Sequence, residues 1–203
     1  MLNSLSNIKV SICIPTYNRF EILKLNLERF LKVTNNNFEI VIVDDGSTDD
    51  TKNLVINITK IAHFKIKYFY QNNQGTFPSL SKAVLNSDGE YIVYQGSDDL
   101  IIVDEFQNFL EDKYESKMES SDIAGISFRC KYENGEIVGN PHKKEFYSNY
   151  PYVHYFNNNR GDKKIFIKAE IFKKVINNYL QFESHIPSAV LLIDIGKKYN
   201  FYF

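Results

Sequence analysis

The chain has 203 residues, with 24 Lys and Arg set against 25 Asp and Glu, so its formal net charge of -1 lacks the basic excess that binding a nucleic-acid backbone requires. Hydrophobic residues make up 43% and aromatics 15%, with 14 Tyr, 16 Phe and no Trp, which supports a packed core and gives no expectation of disorder. The length fits one large domain or one domain with an elaboration.

Residues Met1 to Lys9 lack a basic segment followed by an apolar one, and no stretch approaches the roughly 18 apolar residues of a spanning helix. The expectation is a soluble chain, cytoplasmic, with peripheral association at the inner face of the cell membrane left open. Cys13 and Cys130 both lie in apolar, strand-like runs and read as small core residues; no disulfide is implied.

In chain order, Val10 to Ile14 is almost wholly apolar, as in a strand covered on both faces, and Pro15 ends it. The polar loop Thr16-Tyr17-Asn18-Arg19 follows. Phe20, Leu23, Leu27, Phe30 and Leu31 then fall on one helical stripe, with Asn18 as the expected N-cap. Phe38 to Val43 is a second buried strand, leading into Asp44-Asp45-Gly46-Ser47-Thr48-Asp49-Asp50. There Gly46 permits a tight turn, and Ser47, Thr48 or Asp49 can cap a helix to about Lys60. Ile66 to Tyr70 is a third strand, and Gln71-Asn72-Asn73-Gln74-Gly75 is its exit loop. A helix from about Phe77 to Asn86 precedes a fourth strand, Tyr91 to Tyr94, with Ser87-Asp88-Gly89 as a turn signal between them. Four strand-to-helix units in about a hundred residues predict a mostly parallel sheet with helices on both faces.

The fourth strand stops at Gln95-Gly96-Ser97-Asp98-Asp99. Two adjacent carboxylates at a strand's carboxyl end repel each other unless a cation lies between them, and an oxygen-preferring divalent ion, Mn2+ or Mg2+, is the natural one. The plainer alternative is that Asp99 caps the helix that follows. Three strand exits carry Asn18 with Arg19, Asp44 with Asp45, and Asp98 with Asp99. If those strands are neighbours, all these groups line one crevice, where open α/β sheets bind ligands.

Beyond the carboxylates, Val103, Phe106, Phe109, Leu110 and Tyr114 mark a helix that leads into the charged, serine-rich segment Glu111 to Asp122. Ile123 to Tyr132 is strand-like, and Asn134-Gly135 predicts a hairpin returning through Glu136 to Val138. From Gly139 to Gly161 the pattern loosens, and Tyr147, Tyr150, Tyr152, Tyr155 and Phe156 sit among asparagines, as either a lid or a packed surface loop. Ala169 to Tyr179 reads as a helix, and Ser188 as the cap of another through Lys198. The apolar ending Phe201-Tyr202-Phe203 looks like a strand cut short, so the natural protein is expected to continue.

A crevice with a metal-binding carboxylate pair, a second acidic pair and Tyr17 suits a nucleoside diphosphate ester. The metal neutralises the phosphates, an aromatic face stacks the base, and a carboxylate such as Asp44 accepts a hydrogen bond from a base N–H. Neither a P-loop nor a Gly-x-Gly-x-x-Gly fingerprint occurs. His63, His142 and His154 lack metal-ligand spacing, so no zinc site is expected.

Four ordered motifs, Val10 to Arg19, Ile40 to Thr51, Asn73-Gln74-Gly75 and Tyr91 to Asp99, resemble the family 2 glycosyltransferases with the GT-A fold. The resemblance covers residues 8 to about 105 and is weaker beyond. It implies an α/β fold with a Rossmann-like, mostly parallel central sheet and a smaller antiparallel elaboration on the acceptor side. Residues 1–203 would then be a single domain: 1–105 the nucleotide-sugar-binding half, and 106–203 the acceptor-binding half, truncated at its carboxyl end.

The resemblance also implies that Pro15, Thr16, Tyr17, Arg19, Asn73, Gly75 and Ser97 border the nucleotide, that Asp44 or Asp45 meets the base, and that Asp98, with Asp99 beside it, ligates a divalent metal. Glu183 fits the family's general base by position, and Asp162 is a second candidate. His185 would tune Glu183 or bind sugar hydroxyls. Gly96 stands where relatives have the first aspartate of Asp-x-Asp, and Leu80 and Ser81 stand where many have Arg-Asn.

The implied activity is inverting transfer of a sugar, from a uridine diphosphate sugar, to a saccharide or lipid-linked saccharide hydroxyl in cell-surface polysaccharide or glycan synthesis. Residues beyond Phe203 would carry oligomer or membrane contacts. A nucleotide-sugar-binding module without turnover is the alternative, and a phosphate-transfer receiver domain is a third reading that fits two acidic strand ends less well.

Overall fold

The computed structural model describes residues 8–139, 145–153, 162–182 and 186–203. They form two compact units that divide after Lys113. In the first, β1 (Val10–Thr16), β2 (Phe38–Asp44), β3 (Lys65–Tyr70) and β4 (Tyr91–Tyr94) alternate with α1 (Phe20–Phe30), α2 (Thr51–Ile61) and α3 (Thr76–Leu85), and α4 (Val103–Leu110) follows. The strands run parallel in the order β3-β2-β1-β4. The expected strand-and-helix alternation is therefore present, and the three acidic or polar exits are neighbours.

The reason lies in the composition of the strands. Both β1 and β2 are buried along nearly their whole length, and apolar runs of this kind are stable only with a layer on each face. Register pairs Val10 with Phe38, Ile12 with Ile40 and Ile14 with Ile42. On that face Phe38 stacks on Phe64 at 4.5 Å between ring centroids and meets Phe106 of α4 edge-on at 5.2 Å; Phe30 of α1 packs 6.0 Å away. The opposite face carries Ser11 and Glu39. There α3 packs on β1 and β2, and the turn after it sends the backbone N–H of Asp88 to Glu39 and that of Gly89 to Ser11.

Glu39 is fully buried, accepts the Ser11 hydroxyl at 2.7 Å and lies 3.1 Å from Lys67 Nζ. Lys65 and Lys67 also grip Asp88, at 2.7 and 2.9 Å. The hydrogen bond from Lys65, then that from Lys67, pulls the Asp88 carboxyl down to about 2. A depressed carboxyl stabilises the fold above its unfolded value of about 3.9 and loses that contribution as pH falls toward the folded value. Asp88 is half-exposed, so solvent screening limits the effect to about 1 kcal/mol. Urea titrations at pH 4 and pH 2 are expected to show a smaller acid loss in Asp88→Asn than in the parent; equal losses would remove Asp88 from the acid sensitivity.

The second unit holds β5 (Ile123–Arg129), β6 (Tyr147–Ser148), β7 (Lys163–Lys168), α5 (Ala169–Tyr179), α6 (Ser188–Gly196) and β8 (Asn200–Tyr202). Its strands lie in the order β7-β5-β8-β6, with β5 antiparallel to β7 and parallel to β8. The hairpin at Asn134-Gly135 forms as expected: Lys131 bridges Ile137 and Gly135 has φ +86°. Part of the aromatic stretch is packed, since Tyr147 lies against Tyr202 at 5.0 Å and Phe146 against Phe203 at 5.5 Å. Residues 140–144 and 154–161 of that stretch lie outside the described residues, as do Glu183, Ser184 and His185.

Four expectations are corrected. β7 is a strand that sequence pattern missed, because three of its six residues are Lys and its alternation is short. Ser188 is the first residue of α6, not its cap; Pro187 occupies the cap position and α6 ends at Gly196. Asn18 does not cap α1, for the reason given below, and Asp99 does not cap α4, whose N-cap is Ile102.

Candidate functional site

The site is built from the four exits of the first unit. Register places Thr16 beside Asp44 and Asp44 beside Tyr70, so the first three loops leave the sheet side by side. Asn18 takes a left-handed conformation, φ +51°, which asparagine tolerates better than most residues. Its side-chain Oδ1 then accepts the Thr48 N–H at 2.7 Å, and its own backbone N–H donates to Ser47 Oγ at 2.9 Å. The first N–H of α1, from Phe20, is met by Asp49 Oδ2 at 3.0 Å. The cap that sequence assigned to Asn18 is thus supplied across 29 residues by the second loop, and Asn18 is used to join the two loops.

Asp44 and Asp45 take different roles. Asp44 is 1% exposed, and its Oδ1 accepts the Ser47 N–H at 2.8 Å while Oδ2 accepts the Tyr68 hydroxyl at 2.6 Å. Burial, and next the bond to Asp44, push the Tyr68 phenol well above its usual range, so Tyr68 stays a donor. Asp45 turns toward the third loop: Oδ1 accepts from Gln71 Nε2 at 2.8 Å and from Gln74 N at 2.9 Å, and Oδ2 accepts from Gly75 N at 2.7 Å. Gly46 and Gly75 make this possible with φ of +90° and +96°; a Cβ on Gly46 would also sit 3.0 Å from Asn73 N. Asn73 lies on this turn and is exposed.

At the fourth exit, Gln95 is buried and bonds Asn26 of α1 and the carbonyl of Asp99, both at 2.9 Å. Asp99 folds back, with its Oδ2 accepting the Gly96 N–H at 3.0 Å. Ser97 is buried, whereas Asp98 is exposed and its Oδ2 meets Arg19 Nη1 at 3.1 Å. That pair joins the first exit to the fourth. Tyr17 is 47% exposed at the same end of the sheet, Pro15 lies within β1, and Thr16 Oγ1 is buried without a hydrogen-bond partner among the described residues. Burial, followed by the charges of Asp99 and Asp98, raises the Tyr94 phenol, a sign of the negative field at this strand end.

Among the described residues no three His, Cys, Asp or Glu side chains cluster as a ready-made cation cage. A hard divalent ion needs less than that, because it keeps several waters and is held by one or two carboxylates plus substrate phosphates. Asp98, exposed and already paired with a cation, fits that requirement; Asp99 beside it keeps its Oδ2 on the Gly96 N–H. Asp162, the other base candidate of the described residues, is exposed at the start of β7, with its carbonyl accepting the Cys130 N–H at 3.3 Å.

Sequence pattern missed Tyr68, Gln71, Ser79, Asn26 and Gln95. The signal that marks the last four is a polar residue interrupting an apolar stripe or directly following a strand.

The sequence profile described as Glycosyl transferase family 2 matches residues 11–179. The chain belongs to this family. A Rickettsia felis relative named as an uncharacterized glycosyltransferase is 34% identical over 145 residues, which is 71% of this chain and 23% of that protein. The chain therefore spans about a quarter of the length of that family 2 relative. Among solved structures, S. aureus TarS 1-349 in complex with UDP-GlcNAc gives a TM-score of 0.64 at 22% identity, covering 95% of this chain and 55% of that one. The mannosyltransferase PcManGT from Pyrobaculum calidifontis, in complex with GDP-Man and Mn2+, gives 0.56 at 16% identity, covering 82% and 46%. These likenesses establish the GT-A glycosyltransferase fold for this family 2 chain.

Proposed function

We propose that the protein is an inverting glycosyltransferase that moves a sugar from a uridine diphosphate sugar to a hydroxyl of a saccharide or lipid-linked saccharide. The observation that carries this reading is the convergence of Asp44, Arg19 and Asp98 on adjacent strand exits. A carboxylate only accepts hydrogen bonds, so Asp44, fixed by Ser47 and Tyr68, is suited to a base with an imino N–H, as uracil has. Tyr17 supplies an exposed aromatic face for it, with Pro15, Thr16, Asn73, Gly75 and Ser97 bordering the nucleotide.

Arg19 offers a planar guanidinium to the diphosphate, and Asp98 is the residue that would hold Mn2+ or Mg2+ there, Asp99 assisting. Such an ion, when bound, offsets the charge that builds on the leaving diphosphate. The general base would be Glu183, with Asp162 as the second candidate: a carboxylate taking the proton from the acceptor hydroxyl as its oxygen attacks the anomeric carbon opposite the diphosphate. In this reading residues 106–203 serve the acceptor. Among the described residues no helix is long and apolar enough to cross a membrane.

Gly96 favours one other reading, a module that binds nucleotide sugars without turnover, since a carboxylate usual in the family is replaced. The test is release of nucleoside diphosphate from UDP-sugars supplied with Mn2+ and saccharide acceptors. Release that requires acceptor is the expected result. Binding of UDP-sugar without release, in the full-length protein, would support the module instead, and no affinity for UDP or GDP would overturn both.

A further inference from the structure

Below the Asn72–Gly75 turn lies a closed ring of polar groups, two of whose members, Gln71 and Ser79, have no catalytic or ligand role in the reading above. Gln71 Nε2 donates to Asp45 Oδ1 at 2.8 Å and to Ser79 Oγ at 3.1 Å. Ser79 Oγ donates to the carbonyl of Gly75 at 2.9 Å, and Gly75 N returns to Asp45 Oδ2 at 2.7 Å. Asp45 is 5%, Gln71 9% and Ser79 0% exposed. A buried amide, hydroxyl and carboxylate cost desolvation that an apolar junction would avoid, so the ring is not an economical way to join β3 to α3. What it does provide is a fixed shape for the turn, since each bond ends either on the turn's backbone or on a group that bonds that backbone. α3 itself offers no substitute: its N-cap is Gly75, which has no side chain to hold the helix start.

We propose that Gln71 and Ser79 are positioning residues for donor binding, acting through Asp45 to hold Asn73 and Gly75 in the geometry that the nucleotide meets. This rests on the uridine diphosphate sugar reading above. Preorganisation of this kind lowers the ordering cost of binding; it changes affinity for the donor without touching the reacting atoms.

The experiment compares Gln71→Met, which keeps length and removes the amide, with Ser79→Ala and with Ser81→Ala as a matched control. Ser81 is buried on the same helix, and its hydroxyl has no hydrogen-bond partner among the described residues. Three readouts are taken: UDP affinity by calorimetry with Mn2+ present, donor KM against kcat, and amide hydrogen exchange at Gln74 and Gly75. Losing one net hydrogen bond corresponds to about a fivefold change, so Gln71→Met is expected to weaken UDP by about five- to twentyfold and Ser79→Ala by about two- to fivefold. The donor KM rises with kcat within about twofold, exchange at Gln74 and Gly75 accelerates, and Ser81→Ala leaves all three unchanged, as expected where only uniform donor binding is lost.

A merely structural role would lower the melting temperature and leave UDP affinity of the folded protein intact; that result overturns the proposal. So does unchanged exchange at Gln74 and Gly75. If Gln71→Met fails to fold, Ser79→Ala decides alone by the same criteria. A parent protein that binds UDP while both variants bind it equally overturns the positioning role only, whereas a parent protein that binds neither UDP nor GDP overturns the donor reading and this role with it.

Discussion

Asp98→Ala is expected to remove the metal-dependent part of nucleotide stabilisation and to lower kcat/KM by about 100- to 1,000-fold, the range seen when one group that stabilises developing charge is deleted. In the parent protein, UDP at about a hundred times its dissociation constant adds about 2.7 kcal/mol. For a domain of this length that raises the melting temperature by about 5–10 °C. The substitution acts through charge: Asp98 is the exposed carboxylate at the fourth strand exit, and Asp99 is already held by the Gly96 N–H. It also frees Arg19, which keeps its positive charge for the diphosphate. Metal-free affinity for UDP is therefore expected to hold or increase, while Mn2+ ceases to add to it. A thermal-shift series with and without Mn2+ separates these effects. Equal stabilisation by Mn2+ in Asp98→Ala would remove Asp98 from the metal role.

Asp45→Ala is expected to be the most destabilising substitution at the crevice. It strands three donors, the buried Gln71 Nε2 and the part-buried Gln74 N and Gly75 N, of which only the Gln71 amide has a second partner, Ser79. An unsatisfied buried donor costs about 1–3 kcal/mol, so a loss of about 3 kcal/mol is anticipated. At about 2–4 °C per kcal/mol for this chain length, the melting temperature falls by about 6–12 °C. Asp45→Asn keeps the shape but points an amide N–H at groups that themselves donate, and is expected to lose nearly as much. Asp44→Ala should differ in kind: a smaller loss of stability and the greater loss of nucleotide affinity, because one of its partners, Tyr68, is only partly buried and can turn to water. Denaturant melts paired with UDP titrations check both. An Asp45→Ala protein that melts within a degree of the parent would show that the third loop is held by something else.

The contrast between these two adjacent aspartates marks where sequence reading stops. Asp44-Asp45 announces an acidic strand exit, and the family resemblance brings one of them to the base without saying which. The choice depends on what lies across the strand: Tyr68 on β3 and Ser47 in the turn for Asp44, Gln71 and the Gln74-Gly75 backbone for Asp45. Helix caps show the same limit. Asn18 precedes α1 and has the chemistry of a cap, yet Asp49, distant in sequence, caps it instead.

By itself the sequence determined the local and periodic features. The apolar runs of β1 and β2 required a sheet covered on both faces, the alternation with helical stripes required parallel strands, and Gly46, Gly75 and Asn134-Gly135 specified turns, because each depends on neighbours within a few residues. Only the tertiary structure decided which carboxylate faces which donor group, that Arg19 meets Asp98, and that Gln71 and Ser79 close a ring under the third exit loop. Tyr68 reaches Asp44 from 24 positions away, Gln71 reaches Asp45 from 26, and Asp98 reaches Arg19 from 79. Hydrogen-bond geometry acts over a few ångströms of space, and nothing in the order of residues fixes it until strands β1 to β4 are in register.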